Sequence, residues 1–132
     1  MKIKISFDYD GTLTQKFVQE IAKELIASNY EVHLLTSRFG NMQRLKYPNL
    51  QSNEQLFRVA EEVGIPQHRI SFTNQMPKWM VLNEGGIHIH LDDDKVEIDA
   101  LNYYGIVKVF DATKPNLREQ LFEYINALQA EF

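Results

Sequence analysis

An α/β chain, with a parallel sheet covered by helices on both faces, is what this sequence predicts, and three observations carry the expectation. Short apolar runs of strand length alternate with stretches of helical periodicity along the whole chain. Gly, Pro, Asn, Asp or Ser marks most of the changes between the two. The 132 residues suffice for one domain with a core of its own and leave no room for two.

Ile3, Ile5 and Phe7 begin a first strand, which the turn-forming Asp10-Gly11 bounds. Phe17, Val18, Ile21, Ala22 and Leu25 trace a helical stripe that ends at Ser28-Asn29. Residues 32–35 form a second strand. From Ser52 a second helix turns Leu56, Val59 and Val63 inward, and Gly64 followed by Pro66 stops it. Residues 69–72 are a brief third strand, and 77–82 a short helix with Pro77 near its start. A fourth strand over 87–91, a helix over 96–103 closed by Gly105, and a fifth strand over 106–110 follow. The last helix, from about Lys114, repeats Leu117, Leu121, Ile125 and Leu128. Strands separated by helices throughout mean βαβ units, hence a three-layer, doubly wound, Rossmann-like sheet of five parallel strands. Residues 39–53 are the one long irregular segment, and so long a loop in a small domain is more often functional than idle.

Hydrophobic residues make up 44% and charged residues 24%, an ordinary globular mixture that excludes a disordered or fibrous chain. The absence of cysteine excludes disulfides, thiolate metal sites and cysteine nucleophiles. No apolar stretch is long enough for a membrane span, and the start, MKIKISFDYDG, breaks its apolar run too early for a signal peptide. A soluble cytoplasmic protein without membrane contact is the expectation. Fourteen Lys and Arg against eighteen Asp and Glu give a net charge of −4, which argues against general nucleic-acid affinity.

The acids are placed unevenly. Of seven aspartates, five fall in two clusters, Asp8 with Asp10 and Asp92-Asp93-Asp94, and each cluster follows a strand directly. Strand alternation lets Asp8 and Asp10 face one way while Tyr9 faces the other, and Gly11 permits the sharp turn that ends the strand. An Asx turn would account for Asp10 and Gly11 and leaves Asp8 unexplained. Helix capping would use one of the three later aspartates and favour a second, and three exceed that need. Two carboxylate clusters at the ends of two parallel strands build an oxygen-rich rim, and hard oxygen ligands without thiolates suit Mg²⁺.

Asp8-Tyr9-Asp10-Gly11-Thr12-Leu13-Thr14 resembles the first motif of the haloacid dehalogenase (HAD) superfamily in its phosphatase form. Thr36, after the second strand, is similar to the second motif, Lys78 to the third-motif lysine, and Asp92-Asp93 to the acidic fourth motif. The resemblance spans residues 3 to about 110. It implies a single HAD-like hydrolase domain over 1–132 that hydrolyses a phosphate monoester through an aspartyl-phosphate. Asp8 would be the nucleophile, and Asp10 the general acid and then the base. Asp8, the Asp10 backbone carbonyl and Asp92, helped by Asp93, would hold Mg²⁺. Thr36 would donate a hydrogen bond to the phosphate, with Ser37 the alternative hydroxyl, and Lys78 would balance charge beside Asp8. Members of the superfamily usually carry a cap domain. Here few residues follow Thr14 before the first helix, and 37–77 are filled by core elements, so a capless member is implied. Such a site admits bulky substrates or closes by homo-oligomerising.

Arg38, Arg44 and Lys46 lie in the acid-free stretch between Glu31 and Glu54, with Phe39 and Tyr47 nearby. A cationic, aromatic-bearing loop beside a phosphate site suits an anionic group or a base, and a solvated loop suits the same residues as well. With Gly11, Thr36 and Ser37, these three complete the candidate substrate contacts. The partner is therefore a small phosphorylated substrate, with a nucleotide or polynucleotide end as the alternative; a non-catalytic module on the same fold is the rival from another class. His88 and His90 share one face of the fourth strand and read as buried, satisfied histidines rather than metal ligands, and Trp79, Tyr103 and Tyr104 read as packing.

Overall fold

Strand-length apolar runs produce five strands in the computed structural model, which describes residues 2–132: β1 (Lys4–Phe7), β2 (Glu31–Thr36), β3 (Ile70–Phe72), β4 (Ile89–Asp92) and β5 (Lys108–Asp111). They form one sheet in the order β3-β2-β1-β4-β5, and every neighbouring pair is parallel. Helices α1 (Lys16–Ala27), α2 (Asn41–Lys46), α3 (Glu54–Val63), α4 (Lys78–Glu84), α5 (Lys95–Tyr104) and α6 (Leu117–Glu131) fill the connections and the C-terminal end.

The layers follow from the alternation of side chains along each strand. Ile5, Phe7, Leu34, Ile89 and Leu91 share one core with Ile21 and Leu25 of α1, Leu56 and Val59 of α3, and Leu121 and Ile125 of α6. Leu35 points to the other face, where it joins Leu82 of α4, Leu101 of α5 and Val107 in a smaller core. Gly64 ends α3 in the left-handed region, φ 105°, and its amide reaches the Ala60 carbonyl at 2.9 Å. The smaller face also carries a polar row across the sheet, because Ser6 is in register with His33 on one side and His90 on the other.

Several boundaries differ from the sequence expectation; the last helix, for one, begins at Leu117 instead of about Lys114. The 39–53 segment contains the short α2, which buries no residue and so shows no apolar periodicity. The fourth strand runs over Ile89–Asp92 instead of 87–91, which places Asp92 on the strand itself. The fifth begins at Lys108 instead of 106: the Ile106 amide is taken by Asn83 Oδ1 at 3.0 Å, and the Lys108 amide bonds the His88 carbonyl at 3.0 Å. No helix among the described residues is long and apolar enough to cross a membrane.

Candidate functional site

The connection after β1 stays on one side of it and the later strands add on the other, so the strand order reverses between β1 and β4. That switch point leaves a crevice beyond the carboxyl ends of both strands. The chain leaves β1 in a wide turn over Tyr9–Leu13, held by Leu13 N donating to the Asp8 carbonyl (3.0 Å) and Thr14 N to the Tyr9 carbonyl (3.2 Å). Gly11 takes φ 79° in this turn, and a Cβ there would overlap the Asp93 carboxylate, lying 2.6 Å from its Cγ. The glycine thus lets the first acid cluster and the second approach each other. Thr12 Oγ1 donates to Asp93 Oδ1 at 3.1 Å and holds that carboxylate in place.

The result is a cavity of about 480 Å³ lined by Asp8, Asp10, Ser37, Lys78, Asp92, Asp93, Asp94 and Lys95. A groove of similar size lies between β5 and α6, lined by Lys108, Phe110 and Tyr124 among others, so chemistry rather than shape distinguishes the crevice. Lys78, at the start of α4, is 2% exposed and donates to Asp8 Oδ1 at 2.7 Å and to Asp92 Oδ2 at 2.6 Å. Asp8 and Asp92 are also buried, which leaves two carboxylates and one ammonium under the surface. One oxygen from each of Asp8, Asp92 and Asp93 lies within 4.8 Å of the others. Three carboxylate oxygens so gathered, against a single ammonium, are a donor set that fits a hard dication.

Burial pushes the Asp8 carboxyl up to about 8; the charge of Lys78 opposes this and that of Asp92 adds to it. Burial would raise Asp92 too, but the hydrogen bond from His90 and the charge and hydrogen bond of Lys78 outweigh it and bring Asp92 down to about 2. Burial also works against the charge on Lys78, yet the two carboxylates keep its pKa above the ordinary value. A dication among these oxygens would reverse the shift on Asp8.

The remaining sequence candidates divide. Asp10 lines the cavity, but its carboxylate is outside the three-carboxylate group and is gripped by Arg38, with Nε donating to Oδ2 at 2.8 Å and Nη2 to Oδ1 at 2.7 Å. Arg38 also donates from Nη1 to the Ser52 carbonyl (3.1 Å) and lies over the Tyr9 ring, 4.9 Å from its centroid. It thereby ties the site to the 39–53 segment. Thr36 is buried and its Oγ1 accepts the Arg38 amide at 3.2 Å, whereas Ser37, the alternative hydroxyl, lines the cavity. Arg44 and Lys46 sit on α2 and do not line it; Arg44 donates to the Leu50 carbonyl at 3.5 Å and Lys46 lies over Tyr47. Asp94 is the helix cap among the three later acids, its Oδ1 accepting from Val96 N at 2.9 Å, which releases Asp92 and Asp93 to the cavity. Trp79 stacks on Tyr104, centroids 5.0 Å apart, as packing side chains do. Sequence reasoning left His90 out of the site, although it stands two residues before Asp92 on the same strand face. Its Nε2 lies 2.8 Å from Asp92 Oδ2.

No protein-family model, no curated protein and no solved structure matches this chain. Function must therefore be argued from the side chains in the crevice.

Proposed function

We propose that the chain is a HAD-like phosphatase without a cap domain, which hydrolyses a phosphate monoester in the presence of Mg²⁺. The observation that carries the reading is the convergence of Asp8, Asp92 and Asp93 with buried Lys78 at the switch point of the sheet. Asp8, Asp92 and Asp93 would hold the Mg²⁺, together with the Asp10 backbone carbonyl that the resemblance adds. When bound, it offsets the repulsion between an anionic phosphate and an anionic nucleophile.

The steps belong to the chain's own residues. An Asp8 carboxylate oxygen attacks phosphorus and forms a new P–O bond as the ester P–O bond breaks; the departing oxygen takes a proton from the Asp10 carboxyl. Water then attacks the same phosphorus, its proton passes to Asp10, and the bond between phosphorus and Asp8 breaks to release inorganic phosphate. Lys78 holds Asp8 in place and adds positive charge beside the phosphoryl oxygens, and Ser37, on the cavity wall, is the hydroxyl available to them. Asp10 must first leave the fork of Arg38, and an incoming phosphate is the competitor suited to that guanidinium.

The test is phosphate release over a panel of monoesters, with Mg²⁺ and with EDTA, by wild type and by Asp8→Asn. Turnover that needs Mg²⁺ and is absent from the variant is expected, with Ca²⁺ inhibiting because its looser shell misplaces the reacting groups. Hydrolysis that survives EDTA, or a variant as active as wild type, would overturn the reading, as would a panel on which wild type releases nothing.

A further inference from the structure

Asp92 is fully buried, and its two oxygens are used unequally. Oδ2 receives two donors, Lys78 Nζ at 2.6 Å and His90 Nε2 at 2.8 Å, while Oδ1 receives only the Asp94 amide at 3.1 Å. The His90 ring has no exposed surface and meets Ser6 Oγ at 2.6 Å through its other nitrogen. These partners fix the tautomer: an ionised carboxylate only accepts, so Nε2 carries the hydrogen, and Nδ1 accepts from the Ser6 hydroxyl. Ser6 and His90 are register partners on adjacent β1 and β4, so the sheet itself sets their spacing. Without His90, Lys78 would be the only side chain holding Oδ2, and the orientation of the carboxylate would be less fixed.

We propose that His90, held by Ser6, is a positioning residue that orients the Asp92 carboxylate for a divalent cation shared with Asp8 and Asp93. This rests on the reading of the crevice as a metal site. A ligand carboxylate with a fixed hydrogen-bond donor behind it keeps one oxygen turned toward the ion, and loss of such a partner typically weakens metal binding about 10–100-fold. A histidine that serves packing alone would change the stability of the fold and leave the affinity of the folded protein where it was.

Mn²⁺ is the probe, titrated into metal-free full-length protein and followed by loss of the free-ion electron paramagnetic resonance signal, with melting temperature measured alongside. His90→Leu removes the donor, His90→Gln returns an amide N–H at similar reach, and Ser6→Ala releases only the far side of the ring. The expected result is a loss of about 10–100-fold in affinity for His90→Leu, with His90→Gln nearer wild type and Ser6→Ala between them. Wild type that binds no Mn²⁺ overturns the metal reading and this inference with it. Wild type that binds, beside a folded His90→Leu of equal affinity, overturns the inference alone, as does a His90→Gln no better than His90→Leu. If His90→Leu does not fold, Ser6→Ala decides: affinity equal to wild type overturns the proposal, and a weaker site supports it.

Discussion

Asp8→Asn should make the metal-free protein more stable. Asp8 and Asp92 share one buried counter-charge, Lys78, and burial holds the neighbouring His90 below its usual pKa, so the ionised cluster carries an excess negative charge. The unfolded chain releases the Asp8 proton near pH 3.8, while the folded chain keeps it to about 8. Between those values the folded state binds more protons than the unfolded, so wild-type stability falls as the pH rises through the window. At pH 7 the upper bound of this loss is about 4 kcal/mol. The Asn amide must itself be desolvated and cannot donate and accept as the protonated carboxyl does, so we expect a net gain of about 1–2 kcal/mol. With ordinary denaturant sensitivity, that raises the urea midpoint by about 0.5–1 M. The assay is urea unfolding in EDTA at pH 4, 5.5, 7 and 8, followed by circular dichroism. The advantage of the variant should be near zero at pH 4 and largest at pH 8, and Mg²⁺ should shrink it by stabilising wild type. A variant less stable throughout, or a difference that does not grow with pH, would refute the charge argument.

Lys78→Met leaves Asp8 and Asp92 buried without a cation, and should cost about 3–5 kcal/mol in EDTA, with more of the loss recovered by Mg²⁺ than wild type gains; thermal melts check this, and an unchanged melting temperature counts against both ion pairs. Gly11→Ala puts a Cβ into the Asp93 carboxylate at a backbone angle that L residues rarely adopt. It should destabilise by about 1–2 kcal/mol and weaken Mn²⁺ binding, and binding as tight as wild type would show that Asp93 does not need that space. Arg38→Met cuts the link from Asp10 to the Ser52 carbonyl, so amide exchange across 40–53 should rise about 10-fold while α1 and α6 keep their protection. Exchange unchanged in that segment would mean that Arg38 does not tether it.

The fold was legible because its signals are local. Each buried stripe repeats at helical spacing, as in Val18, Ile21, Ala22 and Leu25, and the alternation of strand and helix entails a parallel sheet. What failed was also local in cause: α2 has no apolar face to announce it, and the ends of β4 and β5 are set by their partner strands. The acid clusters were legible as strand-end carboxylates, and Asp94 could be separated from its neighbours only once its capping bond to Val96 was visible. Arg38 and Lys78 are different. In the sequence only the resemblance set Lys78 beside Asp8, and Arg38 stood as a substrate contact; the burial of Lys78 against Asp8 and Asp92, and the grip of the half-buried Arg38 on the exposed Asp10, follow from the adjacency of β1 with β4 and of β1 with β2.

The least legible part of the site is the one that holds it in shape. Ser6 and His90 lie 84 positions apart, and neither stands in a pattern that points to the other. The parity of the strands does relate them to the acids, since Ser6 precedes Asp8 by two residues and His90 precedes Asp92 by two. Had β1 and β4 been known to be neighbours, that parity alone would have put the hydroxyl and the ring behind the carboxylates. Instead, the strand order is a property of the whole chain, fixed by which helices cover which face. The polar row His33–Ser6–His90 occupies a sheet face where apolar side chains would pack better, and the buried carboxylates above it oppose one another. Departures of this kind from local consistency are expected where a protein binds something at the expense of its own stability. The charge needed to relieve the excess is positive, and its position is set by three carboxylates. For that reason the stability of Asp8→Asn in EDTA and in Mg²⁺ bears on the functional reading as directly as turnover does.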